Sequence, residues 1–320
     1  MIDATTVQAP GAKGTDYRLH VALDLVNLEL RQIEVSTDKV GESLAHFQWQ
    51  EGDVVLIDRG YNQPKTLVPF IDQGADVVLR YNPQGMNLYT QDERMERIDW
   101  VERLVTLQGQ AGAIPVYLCH GHKRLEGVVH AIPLPAEQAA EARRRLRRRA
   151  QKKGRQASAT SLFLSGWVLI FTSLPVTLLD TAAIAALYRL RWQVELTMKR
   201  LKSVLDIDRL RADKDSPLAE LYLYGKLLYA AVLEKLVARR FGSVARRLDA
   251  TRTHTPWRLW QLLSKALCSA VMACFPVRPK YLKQALKSLC ERARKRQLQI
   301  LPKPVLELLT FCRSIGVSAV

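Results

Sequence analysis

Tyr17 to Leu25 reads YRLHVALDL, with Tyr17, Leu19, Val21, Leu23 and Leu25 on one side and Arg18, His20 and Asp24 opposite. A period of two over this length cannot line one face of a helix; it predicts a half-buried strand. Leu28 to Val35 follows after a short break as its hairpin partner. Val54 to Ile57 is a short apolar run ending at Asp58, with a turn at Arg59-Gly60-Tyr61. Gln63 to Gln73 reads as a helix closed by Gly74, and Asp76 to Tyr81 as another strand. Hairpins followed by strands alternating with helices predict an α/β mixed sheet carrying helices on its faces.

Beyond Tyr81 the pattern changes. Trp100 to Leu107, Ile114 to Cys119 and Leu125 to Ile132 read as short strand-like pieces, before a basic stretch from Glu137 to Arg155. A long helical pattern runs from Thr181 to Leu205, and residues 216–320 are mostly helical, punctuated by prolines. The 320 residues allow about two domains.

Charge narrows the partner. The chain carries a formal +17, and Arg143 to Arg155 holds nine basic residues and no acid. Taking that run away still leaves a net +8. Such a balance favours a polyanion over an ordinary metabolite, although a basic run is also compatible with a solvated helix or loop. Five cysteines without a paired CxxC exclude a dense disulfide scaffold and fit a reducing cytoplasm. Ser161 to Leu179 is apolar enough to suggest a membrane span. Ser161, Ser165, Thr172, Ser173, Pro175 and Thr177 interrupt it, and Trp167 to Phe171 suits a buried strand better.

The chemically informative segment is Tyr188 to Lys202. On one continuous helix, Tyr188, Arg191, Glu195 and Lys202 fall within an arc of about 60°. A core-facing stripe would be apolar at this spacing, whereas surface helices commonly carry such charge ladders. The pattern Y-x2-R-x3-E-x6-K resembles the signature of bacterial insertion-sequence transposases of the DDE superfamily, in the family numbered four. Two further segments resemble that family: Val54 to Tyr61, with Asp58 at the end of an apolar strand before Arg-Gly-Tyr, and Ile2-Asp3-Ala4-Thr5-Thr6, followed by Pro10-Gly11 and Tyr17 to His20.

The resemblance implies a ribonuclease-H-like mixed-sheet core, split over 1–81 and 162–215. A mainly β insertion would occupy 82–161, and a helical C-terminal region 216–320. It implies Asp3, Asp58 and Glu195 as catalytic carboxylates and ligands of two Mg²⁺ ions, with Mn²⁺ able to substitute. It also implies Tyr188, Arg191 and Lys202 as DNA contacts. The partner would be double-stranded DNA at insertion-sequence ends, handled by a homodimer in a synaptic complex, with no membrane involved. In-line displacement at a phosphodiester is the reaction class two such ions serve, and hard cations take carboxylate oxygens. Trp192, on the same segment, is expected to pack in the core. Cys119-His120-Gly121-His122 lacks a second ligand pair and is not expected to hold zinc.

The family carries a separate DNA-end-binding region before its first aspartate, whereas here Met1 and Ile2 alone precede Asp3. That departure leads to the expectation of a truncated or mis-started reading frame, with a short-paired first strand and a poorly fixed first ligand. The alternative function is then a non-catalytic, DNA-binding transposase remnant; another nuclease of the same fold is a third reading.

Overall fold

The structure, a computed structural model, describes residues 1–241, 255–273 and, further on, 305, 307, 308, 310 and 311. It divides into two units, one made of Met1–Glu42 with Leu190–Val320 and the other of Ser43–Arg189.

In the first unit, β1 (Ile2–Val7), β2 (Tyr17–Asp24) and β3 (Glu29–Thr37) form an antiparallel sheet in that order. The alternation in 17–25 does become a strand, and Leu19, Val21 and Leu23 are fully buried. The expectation of a short-paired first strand is corrected. β1 has six residues, all opposite β2 from Ile2↔Ala22 to Val7↔Tyr17, because its pairing runs onward from Asp3 and does not need residues before it. β1 lies at an edge of this sheet.

Among the described residues the unit also contains the helices α6 (Trp192–Leu205), α7 (Pro217–Phe241) and α8 (Pro256–Ala273). α6 packs on β1, α7 and α8, and α7 packs on β3. Val194, Met198, Leu201 and Leu205 form the buried stripe of α6, at the spacing of one helical face. At its end Asp206 turns left-handed (φ 47°), and its amide reaches the Lys202 carbonyl. Lys226 of α7 donates to the Asp206 and Arg209 carbonyls at 2.6 and 2.7 Å, satisfying acceptors beyond the helix. Of the basic residues singled out near the C-terminus, Arg292, Arg294, Lys295 and Arg296 lie outside the described residues.

The second unit holds a five-stranded mixed sheet of order β4-β5-β8-β7-β6. β4 (Val54–Ile57) is parallel to β5 (Asp76–Arg80). The antiparallel remainder comprises β8 (Trp167–Thr172), β7 (Lys123–Pro133) and β6 (Gly112–His120). Helix α1 (Pro64–Asp72) links β4 to β5 and starts with proline at its first turn, where the missing amide costs nothing. Gly74 closes it at φ 86°. The apolar stretch 161–179 becomes the end of α4 (Ala159–Leu164), a turn and β8. Among the described residues no helix is long and apolar enough to cross a membrane.

Two local expectations are corrected. Trp100 to Leu107 is helical, as α2 (Trp100–Thr106). Asp99 caps it by accepting from the Val101 and Glu102 amides, and Trp100 and Leu104 are buried one turn apart. Trp100 donates to the Tyr81 hydroxyl at 2.9 Å, which in turn donates to the Met86 carbonyl at 2.8 Å. The run from Thr181 to Leu205 is two helices: α5 (Thr181–Arg189) ends before a turn at Leu190-Arg191, and α6 begins at Trp192. Composition carried the helical period across the break, but it says nothing about a turn made of good helix formers.

Two stability predictions follow from these cores. A Cβ at Gly127 of β7 would stand 2.5 Å from the Phe171 ring and 3.0 Å from the Thr172 carbonyl. Gly127→Ala is expected to destabilise the chain by about 1–3 kcal/mol in chemical denaturation, through overpacking. In the first unit, burial pushes the Glu234 carboxyl up to about 7, against the opposing pull of the Leu30 amide and Arg200. The folded state therefore binds an extra proton between the ordinary value near 4.5 and about 7, so stability falls as pH rises through that window. The loss is on the order of 3 kcal/mol. Denaturation of Glu234→Gln across pH 5–8 is expected to lack this component of the wild-type slope.

Candidate active-site residues and their surroundings

Asp58 stands directly beyond β4, whose four residues are all buried, so its carboxyl is presented at the carboxyl end of a parallel strand pair. It occupies the cap position of a 3-10 turn over Arg59–Tyr61, yet its side chain makes no capping hydrogen bond. Only its backbone carbonyl serves the turn, accepting from the Tyr61 amide at 3.1 Å. The carboxylate instead accepts a hydrogen bond from the Tyr188 hydroxyl at 3.1 Å. Tyr188 is almost wholly buried at the end of α5, which packs on β7. A phenol is a neutral donor, so it orients a carboxylate without cancelling its charge.

Arg59, of the same unit, lies beside this pair and feels two further arginines. The Arg59 guanidinium is held below its ordinary pKa by desolvation first and then by repulsion from Arg80. Asp58 and Tyr188 act in the opposite sense, and Arg149 adds further repulsion. Sequence spacing could not have placed Arg80 and Arg149 here, because both come from distant segments of the sheet and its helices.

In the other unit, Asp3 is the second residue of β1 and lies opposite Val21. Its Oδ1 accepts from the Ala4 amide at 2.8 Å. Glu195 lies in the first turn of α6 and accepts from the Arg191 guanidinium at 2.6 Å. Both side chains of that pair are partly shielded, at 17% and 27% exposure, which strengthens the interaction over a freely solvated surface pair. Lys202 is half-buried two turns further on, and among the described residues it has no acid within ion-pair distance. Asp3 and Glu195 are coupled through their elements. The Gln8 amide donates to the Asp208 carbonyl and the Leu210 amide to the Gln8 carbonyl, both at 2.9 Å, so the segment after α6 is stitched to the residue that follows β1.

The single helical face carrying Tyr188, Arg191, Glu195 and Lys202 is corrected. Tyr188 belongs to α5 and the other three to the segment that begins at the Leu190-Arg191 turn, so the stripe on α6 consists of Arg191, Glu195 and Lys202. Trp192 is also not a core residue: it is exposed, with the Lys199 ammonium 4.2 Å from its ring. Other aspartates are used structurally. Asp24 accepts from the Val26 amide, Asp53 from the Gln50 amide, and Asp76 from the Ser173 hydroxyl.

The model of the family described as Transposase DDE domain matches residues 1–228. The chain belongs to this transposase family. It is 30% identical over 244 residues to the putative transposase InsL of insertion sequence element IS186A from Escherichia coli K12. The same identity and length hold for the transposase of insertion sequence element IS421 from Escherichia coli. In each case the match covers 74% of this chain and 65% of the relative, so the chain spans just under two thirds of those proteins' length. A shorter match, 37% over 93 residues, joins it to the transposase of insertion sequence element IS231F from Bacillus thuringiensis subsp. israelensis, covering 28% of this chain and 19% of that protein.

A DDE transposase domain implies divalent metal ions held by acidic side chains. Among the described residues, neither unit by itself gathers three His, Cys, Asp or Glu side chains as a metal site. The donor chemistry nevertheless fits a hard cation. Asp3, Asp58 and Glu195 offer carboxylate oxygens; the Asp58 side chain does not cap its turn, and Glu195 accepts from the Arg191 guanidinium. The Cys119-His120-Gly121-His122 segment closes the turn between β6 and β7, and no metal cluster forms there among the described residues.

Proposed function

We propose that this chain is the catalytic part of a transposase that cleaves DNA at the ends of an insertion sequence and transfers the freed strand to a target. The observation that carries this reading is Asp58. Its carboxylate sits past a buried strand, does not cap the turn beside it, and is oriented by the tyrosine of the Tyr-Arg-Glu-Lys signature. The split ribonuclease-H-like core over 1–81 and 162–215, the insertion over 82–161 and the C-terminal region over 216–320 are part of the proposal. It is supported by the family match and by the strand–helix–strand order of β4, α1 and β5.

Asp3, Asp58 and Glu195 would hold two Mg²⁺ ions, or Mn²⁺ in their place. When bound, such ions supply activation of the attacking oxygen and stabilisation of the leaving oxygen in an in-line displacement. The protein's own groups do the rest. Tyr188 fixes the Asp58 carboxylate, and Arg191 fixes the rotamer of Glu195. The positive ends of Arg191 and Lys202 hold phosphates flanking the scissile one. Handling two DNA ends together calls for two copies of the chain, acting on DNA in the cytoplasm.

The test is nicking of supercoiled plasmid in Mg²⁺ or Mn²⁺. Wild type is expected to nick, and Glu195→Gln and Asp58→Asn to lose at least about 100-fold in rate, as loss of a metal-holding carboxylate demands. Nicking that survives either substitution rejects the assignment, and DNA binding without any nicking by wild type identifies a non-catalytic remnant. Tyr188→Phe separates two roles. As a positioning residue it is expected to slow nicking about 10-fold at unchanged DNA affinity. A parallel loss of affinity would make Tyr188 a DNA contact.

A further inference from the structure

Helix α3 (Ala136–Gln151) is the most basic of the described elements. Its inward side is marked by Ala139, which is buried, and it is fastened by the Arg143 guanidinium on the Leu162 carbonyl at 3.4 Å and the Leu134 amide on the Gly166 carbonyl at 2.8 Å. At 100° per residue, Arg148 points directly away from Ala139, and Arg144, Arg145 and Lys152 lie within about 60° of Arg148. All four are exposed. Glu141 neutralises Arg144 and Arg145 only. Among the described residues no acid lies within ion-pair distance of Arg147, Arg148, Arg149, Lys152 or Lys153.

Like charges held this close on a rigid helix repel each other, and the cost is relieved when a polyanion replaces their counterions. The helix is about 24 Å long, or roughly seven base pairs of duplex. A membrane-lying helix needs an exposed apolar face, and α3 exposes no large apolar side chain.

We propose that the exposed arc of α3, from Arg144 through Arg148 to Lys152, is a sequence-independent DNA-backbone track. The track rests on the transposase reading and adds to it a contact surface that reads phosphates and no bases.

The experiment uses the full chain and a mixed-sequence 40-bp duplex, with affinity followed by fluorescence anisotropy between about 50 and 200 mM salt. The variant Arg144→Gln/Arg148→Gln/Lys152→Gln is compared with Arg94→Gln/Arg97→Gln/Arg103→Gln, which removes the same charge from another exposed part of the same unit. Neutralising three phosphate contacts is expected to reduce the slope of log affinity against log salt by about 2.7, and the second variant to leave it unchanged. An unchanged slope in the α3 variant, or equal changes in both variants, overturns the track. So does a loss of binding to phosphatidylserine-containing vesicles while the DNA slope is retained. Nicking by wild type in the same preparation separates the two levels: if wild type nicks and the slopes match, the track alone fails. If wild type neither binds nor nicks, the transposase reading fails with it.

Discussion

The docking of α6 on β1 is the interaction on which the first unit depends, because it ties the helix of Glu195 to the strand of Asp3. It is fastened by two kinds of force. Val194, Met198, Leu201 and Leu205 supply nondirectional burial, while the main-chain bonds of Gln8 with Asp208 and Leu210 set the register in which the helix leaves the strand. Arg200, on the same helix, is wholly enclosed and pushed down to about 10 by burial, with Glu234 opposing the shift.

In the second unit the governing constraint is the placement of Asp58. Its carboxylate accepts a hydrogen bond from the Tyr188 hydroxyl, and the neighbouring Arg59 guanidinium is held below its ordinary value by desolvation first and by repulsion from Arg80. The same sheet that buries Val54 to Ile57 sets Asp58 at its edge, so hydrophobic burial and acid placement have one cause.

Much of the fold could be read before the structure, where a single local period dominated. The alternation of 17–25, the apolar runs 54–57, 76–81 and 167–171 and the helix closed by Gly74 all emerged as read. The misreadings occurred where short segments carried no decisive period. Trp100 to Leu107 is rich in β-branched and aromatic residues, but one capping aspartate and an i, i+4 pair made it helical. Trp192, flanked by long charged side chains, was free to rest under Lys199 at the surface. For the site, the Arg191–Glu195 pair is legible because four residues are one helical turn. The Tyr188–Asp58 bond joins residues 130 apart, and no local pattern encodes it.

By itself the sequence determined the family, because residue types at short spacing are properties of the chain as written. The tertiary structure alone decided that Tyr188 and Glu195 stand on separate helices, that Asp58 is oriented and not capping, and that most of the basic run is a helix with an exposed cationic face. Those outcomes depend on which segments a sheet brings side by side, and long-range pairing is chosen by the burial of the whole core, which a local window of sequence does not contain.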